Sequence, residues 1–421
     1  MRPGEAQEVR TYSALPKFVD CGSGQWAVPL GVRSKLVTLT ETSRLWLQGL
    51  YLSTINFESI NQYFSEEFID NLVVQSGILQ SYDGAQLVEY GFNKFPEYFV
   101  AGEKSSTVAN TLANGTYSYA AVYEWTDAAG VRHQSAPSFS NSVTIASGPK
   151  PVFVALESLP ASMTLKTNPN VIISLYRTEA NGVIYYRITS ISAPTYNDPT
   201  AYQITYEDTQ PDSAIIGNEV LYTTGGEIEN LAPPSPKLIA VNKTRCFIVP
   251  SEYPQEIWYS KESTDNTEQP GFSPGFIKTF DLKGKDILGL TVVDDKIIAF
   301  KENKIFFFSG DGPNNLGQQD TFTNPDLITS DVGCSEPASI TNTAEGCYFK
   351  SSKGFYLLTR DLNLEYVGRD VEAFNGEAVT SGTLVSDTNQ VRFTLESGTA
   401  LVYDYFQKQW MTFANHEAAD A

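Results

Sequence analysis

Asp294-Asp295, Glu207-Asp208 and Glu66-Glu67 each place two carboxylates side by side, and they are the first residues here that could do chemistry. Glycoside hydrolysis needs two carboxyls facing one another across a cleft, one as acid and one as nucleophile or base. Sequence neighbours do not face one another that way. A chain with 49 Asp and Glu also produces such pairs by chance. All three read as solvated turn residues. "SGDGPNNLG" (309–317) offers oxygens from Asp311, Asn314 and Asn315, but it lacks the alternating acidic ligands and closing Glu of an EF-hand loop, and reads as a wide turn. "CGSGQW" (21–26) has two glycines without the strand-to-helix setting of a phosphate cradle.

The remaining reactive types are sparse. Cys21, Cys246, Cys334 and Cys347 are too far apart in sequence for a zinc ribbon or a redox CxxC, and read as buried thiols. His133 and His416 are the only histidines and lie far apart in sequence, which argues against a His-based metal site. Gly-x-Ser-x-Gly, P-loop and HExxH patterns are absent from the sequence. "SYDGAQLV" (81–88) matches in part the Ser-x-Asp-x-Gly-x-x-Trp turn of sialidase-like propellers; it lacks the Trp and the motif does not recur. Trp258, Tyr259 and Trp410 could stack on sugars, yet aromatics at strand ends more often serve packing. The expectation is a protein that is not an enzyme, with no catalytic, cofactor-binding or metal residues and no cofactor.

The elements that would position these residues are β-strands. Twenty-three Tyr and 24 Phe favour strands, while 30 Gly and 22 Pro supply turns. One stretch, Ile60 to Leu72, carries an apolar spacing that predicts three helical turns. Elsewhere hairpins recur. "DDKIIAFKENKIFFFSGDGP" (294–313) has two apolar runs, Ile297–Phe300 and Ile305–Phe308, around Glu302-Asn303-Lys304. Similar pairs occupy 243–260, 345–361 and 390–410, and a fifth with Asp83-Gly84 as its turn occupies 72–92. Starts near 243, 294, 345 and 390 give a period in the range of propeller blades. A blade buries both faces only when stacked on its neighbours.

The repeats are interrupted. Tyr117, Tyr119, Ala121, Tyr123 and Trp125 alternate at strict period two within "NGTYSYAAVYEWTD" (114–127). "VIISLYRTEANGVIYYRI" (171–188) turns at Asn181-Gly182, and "AYQITYEDT" (201–209) adds a strand. About seven short strands without a cysteine bridge suit a fibronectin-like rather than an antibody-like sandwich. "NLAPPSPKL" (230–238) reads as a stiff linker back to the repeats. The expected fold is mostly β: β-propeller blades interrupted by an inserted fibronectin/immunoglobulin-like β-sandwich. The expected domains are 1–105, an N-terminal segment with a first propeller-like unit; 106–229, the sandwich; and 230–421, repeated blades.

The net charge of −20 decides against a phosphate-gripping protein, since no Lys/Arg cluster is present to release counterions. It decides equally against adhesion to anionic membranes. "MRPGEAQEVR" lacks the apolar core of a secretory signal and no 18-residue apolar run occurs, so synthesis in a cytoplasm without a membrane-spanning segment is expected.

"EIWYSKES", "DILGLTVVDDKIIAFKENKIFFFSGDGP", "SDVGCSEPASI" and "YFKSSKGFYLLTRDLNLEYVGRDVEAF" together resemble the propeller region of bacteriophage tail nozzle proteins, also called tail tubular protein B. "LQSYDGAQLVEYGFNKFPE" and "YSYAAVYEWTDAAGVRHQSAPS…LYRTEANGVIYYRI" are similar to other parts of such proteins, so the resemblance spans most of 70–413. It implies a structural virion protein of a short-tailed phage, assembled in the host cytoplasm. Its implied partners are sibling subunits in a hexameric ring, a tail adaptor or gatekeeper protein, and tail fibres or spikes. DNA would pass through the ring's channel without specific binding, and an acidic wall would keep it sliding. The alternatives are a carbohydrate-binding adhesin or receptor-recognition module on a propeller scaffold, and a propeller glycosidase.

Overall fold

Alternation of apolar residues with short Gly- and Asn-containing turns drives this chain into antiparallel meanders. The structure, a computed structural model, describes residues 64–105, 111–166, 171–222, 230–280 and 285–414. It also gives the backbone of short strands nearer the N-terminus, among them Thr42–Leu47 paired with Leu50–Asn56. Cys21, His416 and the glycines of 21–26 lie outside the described residues.

The described residues contain five four-stranded antiparallel sheets, each in simple 1-2-3-4 order. Blade 1 is Ser65–Phe68, Asn71–Ser76, Ile78–Tyr82 and Leu87–Glu89. Blade 2 is Pro236–Val241, Cys246–Pro250, Glu256–Ser260 and Phe272–Thr279. Blade 3 is Gly289–Val293, Lys296–Phe300, Ile305–Ser309 and Asp326–Thr329. Blade 4 is Glu336–Asn342, Gly346–Ser351, Gly354–Thr359 and Leu364–Tyr366. Blade 5 is Val379–Val385, Gln390–Leu395, Ala400–Asp404 and Gln409–Phe413. The hairpins legible in the sequence at 243–260, 294–313, 345–361 and 390–410 are the second and third strands of blades 2 to 5.

The blades stack in series, as a propeller requires. The first strand of blade 2 touches those of blades 1 and 3, the first strand of blade 4 touches that of blade 3, and blade 5 continues from blade 4 in the same way. One apolar core fills each seam. Val73, Leu79, Ile248 and Phe272 join blades 1 and 2. Phe247, Tyr259, Phe276, Phe308 and Phe322 join blades 2 and 3. Ile298, Phe300, Cys334, Cys347 and Phe349 join blades 3 and 4, and Phe355, Val391, Phe393 and Leu401 join blades 4 and 5. Alternation explains the division. Ile297 and Ala299 face blade 2, while Ile298 and Phe300, one step along the same strand, face blade 4. Each such side chain removed from water contributes roughly 1.5–3 kcal/mol.

Near the axis the first strands approach through small residues. A Cβ on Gly382 would lie 2.5 Å from Thr341 Oγ1 and 2.9 Å from the Ser339 carbonyl oxygen. Asn342 Nδ2 donates to Thr291 Oγ1 at 2.8 Å and to the Val292 carbonyl at 3.1 Å, tying blade 4 to blade 3.

Between blades 1 and 2 the chain builds two further sheets that enclose one core. The larger has the order Arg132–Gln134, Gly115–Thr126, Ile172–Thr178, Tyr185–Arg187, with Asn141–Ile145 and Thr195–Tyr196 alongside. The smaller has the order Gln203–Asp208, Val152–Glu157, Phe99–Glu103. Tyr117, Tyr119, Tyr123 and Trp125 from the long strand meet Val152, Val154 and Leu156 from the other sheet. Ala120 and Val122, on the strand's opposite face, are buried as well, against Tyr176 and Leu221.

Two expectations fail. The helix expected over Ile60–Leu72 is absent within its described part: Ser65–Phe68 and Asn71–Ser76 are paired strands. Phe64, Phe68 and Leu72 satisfy helical spacing by coincidence. Ile69 and Asp70 turn the chain at φ 51° and 55°, and Ile69 is held there by burial in the seam with blade 2. Glu207-Asp208 and Glu66-Glu67 are strand residues rather than turns.

Candidate functional site

Charged groups gather where the two-sheet insert meets blades 1 and 2. The loop after the strand Val152–Glu157 carries Lys166 beneath the last strand of blade 1. Lys166 Nζ lies 3.0 Å from Glu89 Oε1, with both side chains almost fully enclosed. It also donates to the carbonyls of Glu89, at 2.7 Å, and Gly91. Its cation sits 4.7 Å from the Phe92 ring centre and 5.6 Å from that of Trp125. Glu89 accepts further bonds from Thr164 Oγ1 and the Leu165 amide. Burial pulls the Lys166 pKa down to about 8, with the Glu89 charge opposing the drop.

A second buried group lies beside it. Asp127 Oδ2 is 2.8 Å from Asn71 Nδ2 of blade 1 and 3.1 Å from His133 Nε2. The His133 ring packs edge-on to Trp125 at 4.9 Å, and its Nδ1 has no hydrogen-bond partner. Burial lowers the His133 pKa to about 4 against the opposing pull of Asp127, so the ring is neutral at pH 7.

A chain of ion pairs then runs out to blade 2. Arg187 reaches Glu124 at 3.1 Å and Glu219 at 2.8 Å; Arg132 reaches Glu219 at 2.5 Å and also Glu268 of blade 2. Backbone bonds lie along the same line, from the Arg132 amide to the Thr267 carbonyl and from the Gln269 amide to the Arg132 carbonyl. Tyr90 Oη donates to the Pro270 carbonyl, and the Gly91 amide to Gln269 Oε1. Lys166, Arg187 and Arg132 are each paired with carboxylates, and at the blade 2 end Glu262, Asp265 and Glu268 line a polar cleft. The arrangement is a weld between modules.

The residues singled out from sequence are dispersed. Asp294 sits in the blade 3 turn at φ 57° and binds Arg360 of blade 4, which lowers its pKa; Asp295 is exposed and bonded to Lys296. Asp208 is fully buried between Arg177 Nε, at 2.9 Å, and Tyr119 Oη, at 2.9 Å, and burial raises its pKa. Glu207 is exposed and paired with Lys104. In the loop 309–317 the side chains of Asn314 and Asn315 bond backbone groups, while the Asp311 and Pro313 carbonyls accept from the buried Arg245. Tyr259 is buried and stacks on Phe276 at 5.2 Å; Trp410 packs on Phe355, Phe393 and Tyr403. Trp258 Nε1 donates to Glu256. Cys246, Cys334 and Cys347 are buried free thiols, their pKa values raised by burial. Among the described residues no three His, Cys, Asp or Glu side chains converge on a metal-sized space, and no helix is long and apolar enough to cross a membrane.

Sequence reasoning missed Lys166, Glu89, Arg187, Glu219 and Arg245. Their partners lie up to 87 residues away, so no local pattern marks them. A polar cleft of about 370 Å³ also escaped it; Tyr222, Asn230, Lys261, Glu262, Gln269 and Asn315 are among its lining residues.

No protein-family model and no curated protein matches the chain. Among solved structures, the WD40 β-propeller domain of Doa1 aligns with 63% of this chain and 67% of its own, at 9% identity and TM-score 0.29. BamB from Moraxella catarrhalis aligns over 85% and 91%, at 11% identity and TM-score 0.30. PorZ of Porphyromonas gingivalis aligns over 91% of this chain and 38% of its own, at 9% identity and TM-score 0.30. Scores this low add nothing to what the sheets themselves establish.

Proposed function

We propose that this chain is a non-catalytic structural subunit of the tail nozzle of a short-tailed bacteriophage. The observation that carries the reading is the weld: a two-sheet insert, read here as a fibronectin-like sandwich, is locked to blades 1 and 2 by Lys166–Glu89, Asn71–Asp127 and Arg132–Glu268. Such an interface resists relative motion of the modules, which suits a part that must keep its shape under the pressure of packed DNA. The order of blade, insert and blades also follows the resemblance in sequence. Because neighbouring first strands near the propeller axis are in direct contact, the DNA passage belongs to the space enclosed by a ring of subunits, not to the axis of one chain. A charge of −20 suits a wall that does not hold phosphates. The adaptor and the fibres or spikes remain the partners of this reading, and the virion its location. Mass spectrometry of purified particles, with immunogold labelling, tests it. The chain is expected in fixed multicopy ratio to other tail proteins with label at the tail tip; its absence from particles overturns the reading.

The second reading, a carbohydrate-binding adhesin, draws on the polar cleft beside Tyr222. Glycan-array binding that is lost in Gln269→Ala would favour it.

A further inference from the structure

The polar cleft of about 370 Å³ is lined by Tyr222 and Asn230 and by residues 261–265 and 268–271 of blade 2. Its size lies within the roughly 300–1,000 Å³ of small-molecule sites. The chain around it is tied down. The Lys261 amide donates to the Gly271 carbonyl at 2.8 Å, and the Ser263 amide to that of Thr244 at 2.8 Å. Asn315 holds both main-chain groups of Glu262, accepting from its amide at 2.7 Å and donating to its carbonyl at 2.9 Å. Gly271 lies so close to Asn230 that a Cβ there would meet its Oδ1 at 2.6 Å. Tyr222 Oη is fixed on the Ser135 carbonyl at 2.8 Å. A wall fixed in this way loses little freedom when a ligand enters.

Three polar positions on this lining are unspent. Gln269 is only 8% exposed, and its Oε1 accepts from the Gly91 amide at 2.7 Å. Its Nε2 has no partner among the described residues and is left open at the cleft. Asp265 Oδ1 takes the Thr267 amide at 3.0 Å and its hydroxyl at 2.8 Å, which leaves Oδ2 for a ligand. The Glu262 carboxylate accepts no hydrogen bond among the described residues and lies 3.9 Å from Arg245 Nη2.

Charge then selects the ligand class. Glu262, Asp265 and Glu268 bring three carboxylates to the lining. Lys261 stands among them, while Arg245 and Arg132 back Glu262 and Glu268. Three anions against three cations leave no net charge to draw in an organic cation, and the carboxylates in front repel an anion. An amide donor beside two carboxylate acceptors matches hydroxyl groups, which both donate and accept.

We propose that the cleft binds a short neutral saccharide, with Gln269 Nε2 donating to one hydroxyl while Glu262 and Asp265 accept from others. The proposal rests on the adhesin reading of this cleft and adds the class of sugar. The test is a glycan array of the full chain carrying neutral, sialylated, uronic-acid and amino-sugar glycans, followed by calorimetry with the best neutral binder. Binding confined to neutral glycans is expected. Asp265→Asn and Glu262→Gln are each expected to weaken it roughly tenfold or more, the worth of one hydrogen bond to a charged group. Gln269→Glu keeps an oxygen for the Gly91 amide but removes the donor, and is expected to abolish binding. Should that variant fold poorly, the exposed Asp265 carries the test. Phe406→Glu, on an exposed turn of blade 5, leaves binding unchanged. A preference for acidic or amino-sugar glycans, lost in the same variants, overturns the neutral class while the adhesin reading stands. No binding to any glycan overturns both. Neutral-glycan binding that survives all three cleft variants overturns the assignment of the site.

Discussion

Replacing Lys166 by Met tests the weld where it is most enclosed. The substitution keeps the length of the side chain and its packing on Phe92 and Trp125, but removes the ammonium that lies 3.0 Å from Glu89 Oε1. Two main-chain carbonyls, of Glu89 and Gly91, lose their donor at the same time. Breaking a buried pair by removing one partner costs about 3–5 kcal/mol, because the remaining charge is left uncompensated. Lys166→Met is therefore expected to destabilise the blade 1–insert junction by about that amount. Adding Glu89→Leu removes the stranded charge, and replacing a whole buried pair by apolar residues is often neutral or stabilising by about 1–4 kcal/mol. The double variant should recover much of the loss. Native-state hydrogen exchange reads the junction directly, since strands 87–89 and 115–126 report its local opening free energy. Protection unchanged to within about 1 kcal/mol in Lys166→Met, or a double variant no better than the single, would refute the assignment of a charged, stabilising pair.

Acid should loosen the same junction through His133. Its folded pKa of about 4 lies below the unfolded 6.5, so the unfolded chain takes up the proton first. The stability this neutral ring allows is present above pH 6.5 and about 3 kcal/mol of it is lost as pH falls to about 4; denaturation followed across that window in wild type and His133→Gln checks it, with the variant expected to show the shallower slope. Arg245→Met should free the loop 310–325, since the fully buried guanidinium bonds the Asp311, Ser260 and Pro313 carbonyls; faster exchange of that loop and a loss of roughly 3 kcal/mol are expected in the exchange-derived opening energy. Gly346→Ala should destabilise blade 4 by about 2 kcal/mol or more, because its φ of 147° and a Cβ only 2.1 Å from the Leu358 carbonyl oxygen leave no room; urea titration measures the loss. Cys246, Cys334 and Cys347 should resist a thiol reagent in native protein and react at once in denaturant, which peptide mapping after alkylation resolves.

The blades were legible in the sequence because their signal is local. Ile297–Phe300 and Ile305–Phe308 announce a hairpin, and the strand's alternation explains why both of its faces find cover. Tyr117 to Trp125 announce the long strand of the insert for the same reason. The stretch around Phe64 and Phe68 misled because tertiary contacts overrode its helical spacing: each phenylalanine serves a different blade seam. The junction was not legible. Lys166 and Glu89 are 77 residues apart, and Arg132 and Glu268 are 136 apart, so their partnership exists only once the insert has folded back on the propeller. Asp208, read as solvated, is buried because Arg177 and Tyr119 lie on two strands that the sequence does not connect to it.

The most direct test of the proposed role is a cryo-EM reconstruction of the tail of the phage particle to which the chain is assigned. The account predicts copies of it arranged in a ring at the tail tip, blades and insert held in the same relation as in the free chain, around a channel whose wall is net acidic. A tail fully accounted for without this chain, or a ring whose lumen is lined by lysine and arginine, would contradict it.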